Sequence, residues 1–263
     1  MQEDNINLRF TVLGSGTSSG IPTIGCKCST CASDDPKDKR LRTSLLVESP
    51  TTTVVIDTSP DFRQQMLASG VSKLDGVVYT HHHFDHIGGF DDIRAFNYAT
   101  RRSMPVYINK KTFAELKRTF IYAFETPEQL GGGVPMIDIR FIDHETFSIG
   151  DIHFQPLSLY HGKFEILGFK IGNLAYCTDT NFLPGETIEM ISGIDYLILD
   201  ALRFTEHPTH FSLDQAIDVS RKVNASETCF IHMAHQIRHE EIDPGLPEGI
   251  NLAYDGLVLN GKL

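Results

Sequence analysis

Apolar positions in this chain come in short runs separated by turn-forming residues. Runs rich in Val, Ile, Leu, Phe or Tyr predict strands at Leu8–Leu13, Ser44–Glu48, Thr53–Asp57, Gly76–Thr80, Val106–Ile108, Ile152–Tyr160, Leu167–Ile171, Leu174–Cys177, Tyr196–Asp200 and Thr228–His232. Helical spacing recurs at Asp61–Ser69, Phe90–Ala99, Lys111–Phe124 and Leu213–Val223. Ser212 and Gln215 form a capping-box signature opening the last of these. Consecutive strands mixed with helices predict an α/β (α+β) fold. Two mixed sheets with helices outside fit this order better than one parallel sheet. Residues 126–135, with Gly131-Gly132-Gly133, read as a flexible loop. The chain shows no internal repeat or long linker, and residues 1–263 are expected to form one domain with a full core.

Charge narrows the partners. The 23 basic and 34 acidic residues leave a net charge of -11, unfavourable for binding nucleic acid or an anionic membrane. The opening MQEDNINLRF lacks the basic-then-apolar order of an export signal, and no run has the length of a membrane span. Cytoplasmic residence is therefore expected. In that compartment the 5 cysteines are expected to bind metal or stay as thiols. The apolar stretch Phe113–Phe124 can bury against its own core or a second subunit, so a homodimer stays open. The turn Gly14-Ser15-Gly16-Thr17-Ser18-Ser19-Gly20 lacks the Gly-Lys-Ser/Thr ending of a phosphate loop, and reads as a tight loop near a site.

The strongest chemical signal is His81-His82-His83-Phe84-Asp85-His86. Imidazole and carboxylate together suit a borderline divalent ion. His81 and His83 lie two apart, so on extended backbone they point the same way. Asp85 and His86 diverge, which leaves room for a second ion. His161, Asp179 and His232 also follow predicted strands. Taken singly, such residues are more often caps or turn formers than ligands; their co-occurrence carries the weight. Cys26, Cys28 and Cys31 place three thiols within six residues, and a tetrahedral zinc needs one ligand more. His235, three residues after His232, is the candidate, which makes residues 25–35 a small Cys-rich zinc-binding loop. Reduced cysteines in an ordinary loop are the alternative. Cys177 and Cys229 lie in apolar strands and read as buried hydrophobes.

The histidine motif followed by His161, Asp179 and His232 resembles the metallo-β-lactamase superfamily over essentially the whole chain. That resemblance implies a four-layer αββα sandwich with two divalent ions, Zn²⁺ or Mn²⁺ with iron possible. It assigns His81, His83 and His161 to one ion, Asp85, His86 and His232 to the other, and Asp179 to a bridge. His82 is then a spacer. Asp57 resembles the family's buried acidic residue behind the metal loop, with a strand-ending cap as the other reading. The cysteine cluster with His232 and His235 looks like the PhnP branch, as do Asp57-Thr58-Ser59-Pro60-Asp61-Phe62-Arg63 and Asp200-Ala201-Leu202-Arg203. Thr209-His210-Phe211-Ser212-Leu213-Asp214 is similar to a catalytic histidine motif shared with tRNase Z.

This likeness implies a metal-dependent hydrolase, a phosphodiesterase using an activated hydroxide on a small cyclic phosphate or phosphodiester. Asp85 and His210 would be catalytic, with His210 protonating the leaving alkoxide. Cys26, Cys28, Cys31 and His235 would hold one structural Zn²⁺. The alternatives are a tRNase Z-like ribonuclease and a catalytically inactive metal-binding scaffold. Lys37, Lys39, Arg40 and Arg42 read as a solvated basic loop, and His144, His153, His207 and His239 as surface residues.

Overall fold

A computed structural model describes residues 6–125 and 133–263. Most of the predicted loop at 126–135 lies outside those residues. Strands β1 (Asn7–Gly14), β2 (Ser44–Glu48), β3 (Thr53–Ile56), β4 (Gly76–Val78), β5 (Met104–Ile108) and β6 (Ile137–Phe141) build one sheet. Strands β7 (Phe147–Ile149), β8 (Ile152–His161), β9 (Phe164–Ile171), β10 (Leu174–Cys177), β11 (Tyr196–Asp200), β12 (Glu227–Ile231) and β13 (Ile250–Leu252) build the second. Strand β14 (Val258–Lys262) returns to the first. The sheet orders are β14-β1-β2-β3-β4-β5-β6 and β13-β12-β11-β10-β9-β8-β7. Helices α1 (Ser29–Ala32), α2 (Phe62–Ser69), α3 (Phe84–Ile87), α4 (Arg94–Thr100), α5 (Lys110–Thr119), α6 (Gly185–Met190), α7 (Leu213–Val223) and α8 (His239–Ile242) complete the chain.

Alternating strand positions explain the layers. In β3, Val54 and Ile56 join Phe154 and Ile198 in the core between the sheets, while Val55 faces the other way, toward Phe62 and Leu116. In β11, Ile198 faces the first sheet, while Leu197 and Leu199 pack with Leu213 and Val219. Three apolar interfaces thus separate four layers, helix–sheet–sheet–helix. Strands buried on both faces read as continuous apolar runs, which is why the central strands were legible. Each large side chain buried this way contributes about 1.5–3 kcal/mol.

Helix α7 shows how sequence sets an element. Ser212 accepts from the Gln215 amide while the Gln215 side chain accepts from the Ser212 amide. Leu213, Ala216, Val219 and Val223 bury one face, and Asn224 ends the helix in left-handed backbone.

Several expectations needed correction. The helical segment Phe90–Ala99 begins as a 3₁₀ turn, Phe90–Ile93, and becomes α4 only from Arg94. Lys111–Phe124 stops as a helix at Thr119; Leu116 and Phe120 are buried, whereas Ile121 and Tyr122 are exposed. Arg40 is not in a solvated run. It is buried with Asp38 at 3.2 Å, because the Asp38 and Arg40 side chains turn inward beneath α8 while Lys39 stays exposed. His239 is likewise buried, its ring edge-on to Tyr254, and its amide donates to Asp38. His207 is half-buried, 5.1 Å from the His210 ring. His144 and His153 are exposed. No helix among the described residues is long and apolar enough to cross a membrane.

Candidate metal centre

Parallel pairing places the carboxyl ends of β3 and β4 on one sheet, and of β10, β11 and β12 on the other. The polar residues gather where these strands stop. Asp57, Asp179 and His232 each adopt left-handed backbone, with φ of 64, 54 and 58°. That conformation is uncommon for residues with a side chain and costs about 1–2 kcal/mol. The backbone turns sharply there, which delivers the side chain to the edge of the sheets.

Asp57 anchors the histidine loop. Its carboxylate accepts from the Thr80 amide at 2.9 Å, the Thr80 hydroxyl at 2.8 Å and His86 Nδ1 at 2.7 Å. The supporting reading of Asp57 therefore describes its contacts better than a cap. Burial pushes the Asp57 carboxyl up, against the pull of His86. With Nδ1 engaged, His86 turns Nε2 inward, 3.1 Å from Asp179 Oδ1 and 3.4 Å from Asp85 Oδ2.

The second sheet repeats the device. Buried Asp200 accepts from the Thr180 amide at 2.9 Å and from His210 Nδ1 at 2.8 Å. Its other oxygen is 3.9 Å from His232 Nδ1. In the sequence, the Asp200–Arg203 segment carries only a likeness to one branch and shows no role for the carboxylate. The available signal was an acid closing a wholly apolar strand, ten residues before His210.

Asp179 sits at the middle. Its Oδ1 lies 3.1 Å from His86 Nε2 and 3.1 Å from His232 Nε2, while Oδ2 lies 3.7 Å from His81 Nε2. Asp85 Oδ2 is 3.4 Å from His86 and 3.5 Å from His232. Ligand-capable atoms therefore form one set of Asp85, His86, Asp179 and His232, and another of His81, His83 and Asp179. His161 donates Nδ1 to the Asp179 carbonyl at 2.8 Å. Its ring is 4.9 Å from His83, but its ligand atom groups with Asp179 and His210. His82 lies on the cleft wall outside these sets.

The donors fit divalent ions. Nitrogen and oxygen ligands suit zinc, manganese or iron. Among the described residues, His81 Nε2 and His86 Nε2 are buried with no hydrogen-bond partner. Burial pushes the His161 imidazole down to about 4, against Asp179, so the ring is neutral and its lone pair free near neutral pH. His232 goes the other way: burial works against its charged form, yet Asp179 and Asp85 carry it up to about 9. Buried carboxylates that demand positive charge from a histidine would equally accept it from a metal.

The cysteines converge separately. Cys26, Cys28 and Cys31 place sulfur 3.1, 3.5 and 3.9 Å from His235 Nδ1. The Cys31 amide hydrogen bond draws the Cys28 thiol down to about 7, whereas burial pushes Cys31 up to about 11. The Gly-rich turn abuts this region: Thr17 N donates to Met233 O at 3.1 Å, and Met233 N to Ser15 O at 3.1 Å. A Cβ at Gly16 would lie 2.8 Å from the Arg40 carbonyl, so only glycine fits without movement.

A sandwich of two mixed sheets with a histidine–aspartate centre at its edge defines a class of metallohydrolase. The description "Beta-lactamase superfamily domain" matches residues 52–233, and the chain belongs to the metallo-β-lactamase superfamily. The crystal structure of a new diphosphatase from the PhnP family is 42% identical to it, covers 98% of this chain and 99% of that one, and has a TM-score of 0.92. That likeness sets the chain with the PhnP family. An octanoyltransferase of Porphyromonas gingivalis is 38% identical over 254 residues, 95% of this chain and 51% of that protein, so the chain spans about half its length. Zn²⁺-bound PqqB from Methylobacterium extorquens, at 18% identity and TM-score 0.75 over 95% of this chain and 99% of that one, shares the fold.

Proposed function

We propose that this metallo-β-lactamase-fold hydrolase cleaves a small phosphodiester or cyclic phosphate. The observation that carries the reading is Asp179, whose two oxygens face two different histidine sets, with the His210–Asp200 pair alongside. His81, His83 and His161 would hold one divalent ion and Asp85, His86 and His232 the other, with Asp179 shared. Bound there, the ions would supply Lewis acidity and a nucleophilic water near neutral pH.

The chain's own groups do the rest. Asp57 and Asp200 fix ring orientation by accepting hydrogen bonds from the Nδ1–H groups of His86 and His210, which leaves Nε2 to act. His210 Nε2–H donates a proton to the departing oxygen while Asp200 holds the imidazolium. Cys26, Cys28, Cys31 and His235 would hold a structural zinc that ties the 25–35 loop to the segment after β12.

A second reading, cleavage of a diphosphate bridge, is favoured by the 42% identical PhnP-family diphosphatase. An RNA substrate fits a net charge of -11 poorly.

Protein loaded with Mn²⁺ or Zn²⁺ should hydrolyse bis(p-nitrophenyl) phosphate, and His83→Ala should abolish it. Absence of turnover on phosphodiesters and diphosphates alike would refute the phosphoester reading.

A further inference from the structure

A sheet edge leaves a row of backbone donors and acceptors without ladder partners. Most edges of this molecule are short or closed. Strands β7 and β13 have three residues each. Strand β14 is tied to Asn173, whose side chain accepts from the Lys262 amide and whose own amide donates to the Lys262 carbonyl. Strand β6 differs: it has five residues and pairs in parallel with β5 alone.

The bonds to β5 show which groups of β6 are unused. Met104 N donates to Met136 O at 2.8 Å, and Ile142 N donates to Ile108 O at 3.1 Å. Residues 136 and 142 therefore turn their backbone groups toward β5, and by alternation so do 138 and 140. The amides and carbonyls of Ile137, Ile139 and Phe141 point out of the sheet and meet no partner among the described residues. Their side chains share the helix face. Ile137 and Ile139 pack there against the cluster of Leu116, and the exposed Phe141 ring meets Phe113 edge-on at 5.4 Å. Asp138 and Arg140 share the other face, 3.1 Å apart, with Arg140 also donating to the Tyr107 hydroxyl at 2.9 Å.

The order Ile-Asp-Ile-Arg-Phe is complementary to its own reverse. Laid antiparallel on a second copy about Ile139, Ile137 opposes Phe141, Ile139 opposes itself and Asp138 opposes Arg140. The apolar pairs fall at the outward-pointing positions, so each can exchange both backbone hydrogen bonds. The acid–base pairs fall between them, where opposed side chains lie closest. Slipping the register by two residues sets Asp138 against Asp138 or Arg140 against Arg140. Slipping it by one sets outward backbone groups against groups already bonded to β5.

We infer that the β6 edge is a self-recognition surface on which a second copy of this chain docks, joining the two β6 strands across a twofold axis at Ile139. The contact is isologous and closes at two copies, because each copy offers one such edge. Phe141 of each copy then lies beside Ile137 of the other. Nothing in this pairing depends on the reaction catalysed.

Sedimentation equilibrium of the full chain across the micromolar range tests the contact, and charge exchange tests its register. The unaltered protein should dimerise. Arg140→Asp and Asp138→Arg each set like charges opposite one another, and each should raise the dimer dissociation constant at least about tenfold. An equimolar mixture of those two variants sets every acid against a base and should dimerise again. Ile139→Pro removes an outward amide that β5 does not use, so it should abolish the dimer and leave the far-UV circular dichroism unchanged. The same spectrum for the charge variants separates lost pairing from lost folding. An unaltered protein that stays monomeric would overturn the pairing. So would a dimer that survives all three substitutions, or folded charge variants that stay monomeric when mixed.

Discussion

Asp179 and His210 can be separated experimentally because their side chains do different things. Asp179→Asn keeps the size and tolerates the backbone, but removes the charge both histidine sets share. Metal content by elemental analysis should fall at the two-ion centre, and kcat/KM should drop at least about a hundredfold. Unchanged metal content would argue against sharing. His210→Ala should keep its metal, and its effect should depend on the leaving group. With an alkoxide leaving group kcat should fall about 10²–10⁴-fold. With p-nitrophenolate, which departs without a proton, the loss should be far smaller. Equal losses with both would remove His210 as proton donor.

The residues gathered at the candidate centre were legible because each is a polar side chain placed just past an apolar run. Asp200 has the same placement, but its partner His210 lies in another element, so its role needed the fold. Arg40 and His239 misled for a related reason. Each looks solvated in sequence, yet Arg40 is buried by its ion pair with Asp38, and Asp38 also accepts the His239 amide.

Among elements, central strands were readable and peripheral ones were not. Strand β6 reads Ile-Asp-Ile-Arg-Phe and is largely exposed at a sheet edge, while β7 and β13 have three residues each. Short or half-polar strands lack a pattern that stands above a loop. The four-residue helices α1, α3 and α8 are each a single turn, too short for helical periodicity to reveal. Helix α7 is the opposite case, with its start written in Ser212 and Gln215. Ser212→Ala should therefore destabilise the protein by about 1 kcal/mol. A lower urea midpoint at unchanged slope is the expected sign, and an unmoved midpoint would mean the box contributes nothing.

For the molecule as a whole, the layers followed from the sequence, but the strand order did not, because β13 and β14 join different sheets after a short connection. Asp255 lies in that connection and ties it down, accepting from Ser15 and from the Leu41 amide. Burial pushes its carboxyl up to about 6 from 3.8, against those hydrogen bonds. The native state thus holds this proton more tightly than the unfolded chain. The resulting stability is fully present below pH 3.8 and is lost as pH rises through about 6. Compared with Asp255→Asn, the unaltered protein should lose on the order of 2–3 kcal/mol between these values. Denaturation midpoints of both proteins across that range give the difference directly, and a flat difference would contradict it.

The left-handed backbone at Asp57, Asp179 and His232 limits which replacements can be interpreted at all. Asparagine and glycine tolerate that conformation; alanine and branched residues do not. An alanine scan would therefore mix lost chemistry with a backbone relaxing away from the sheet edge. The same preference should shape how the protein drifts, with asparagine the cheapest step out of each position. For trapping a bound substrate, the useful variants are the asparagine ones, because they disarm the centre and leave its walls standing.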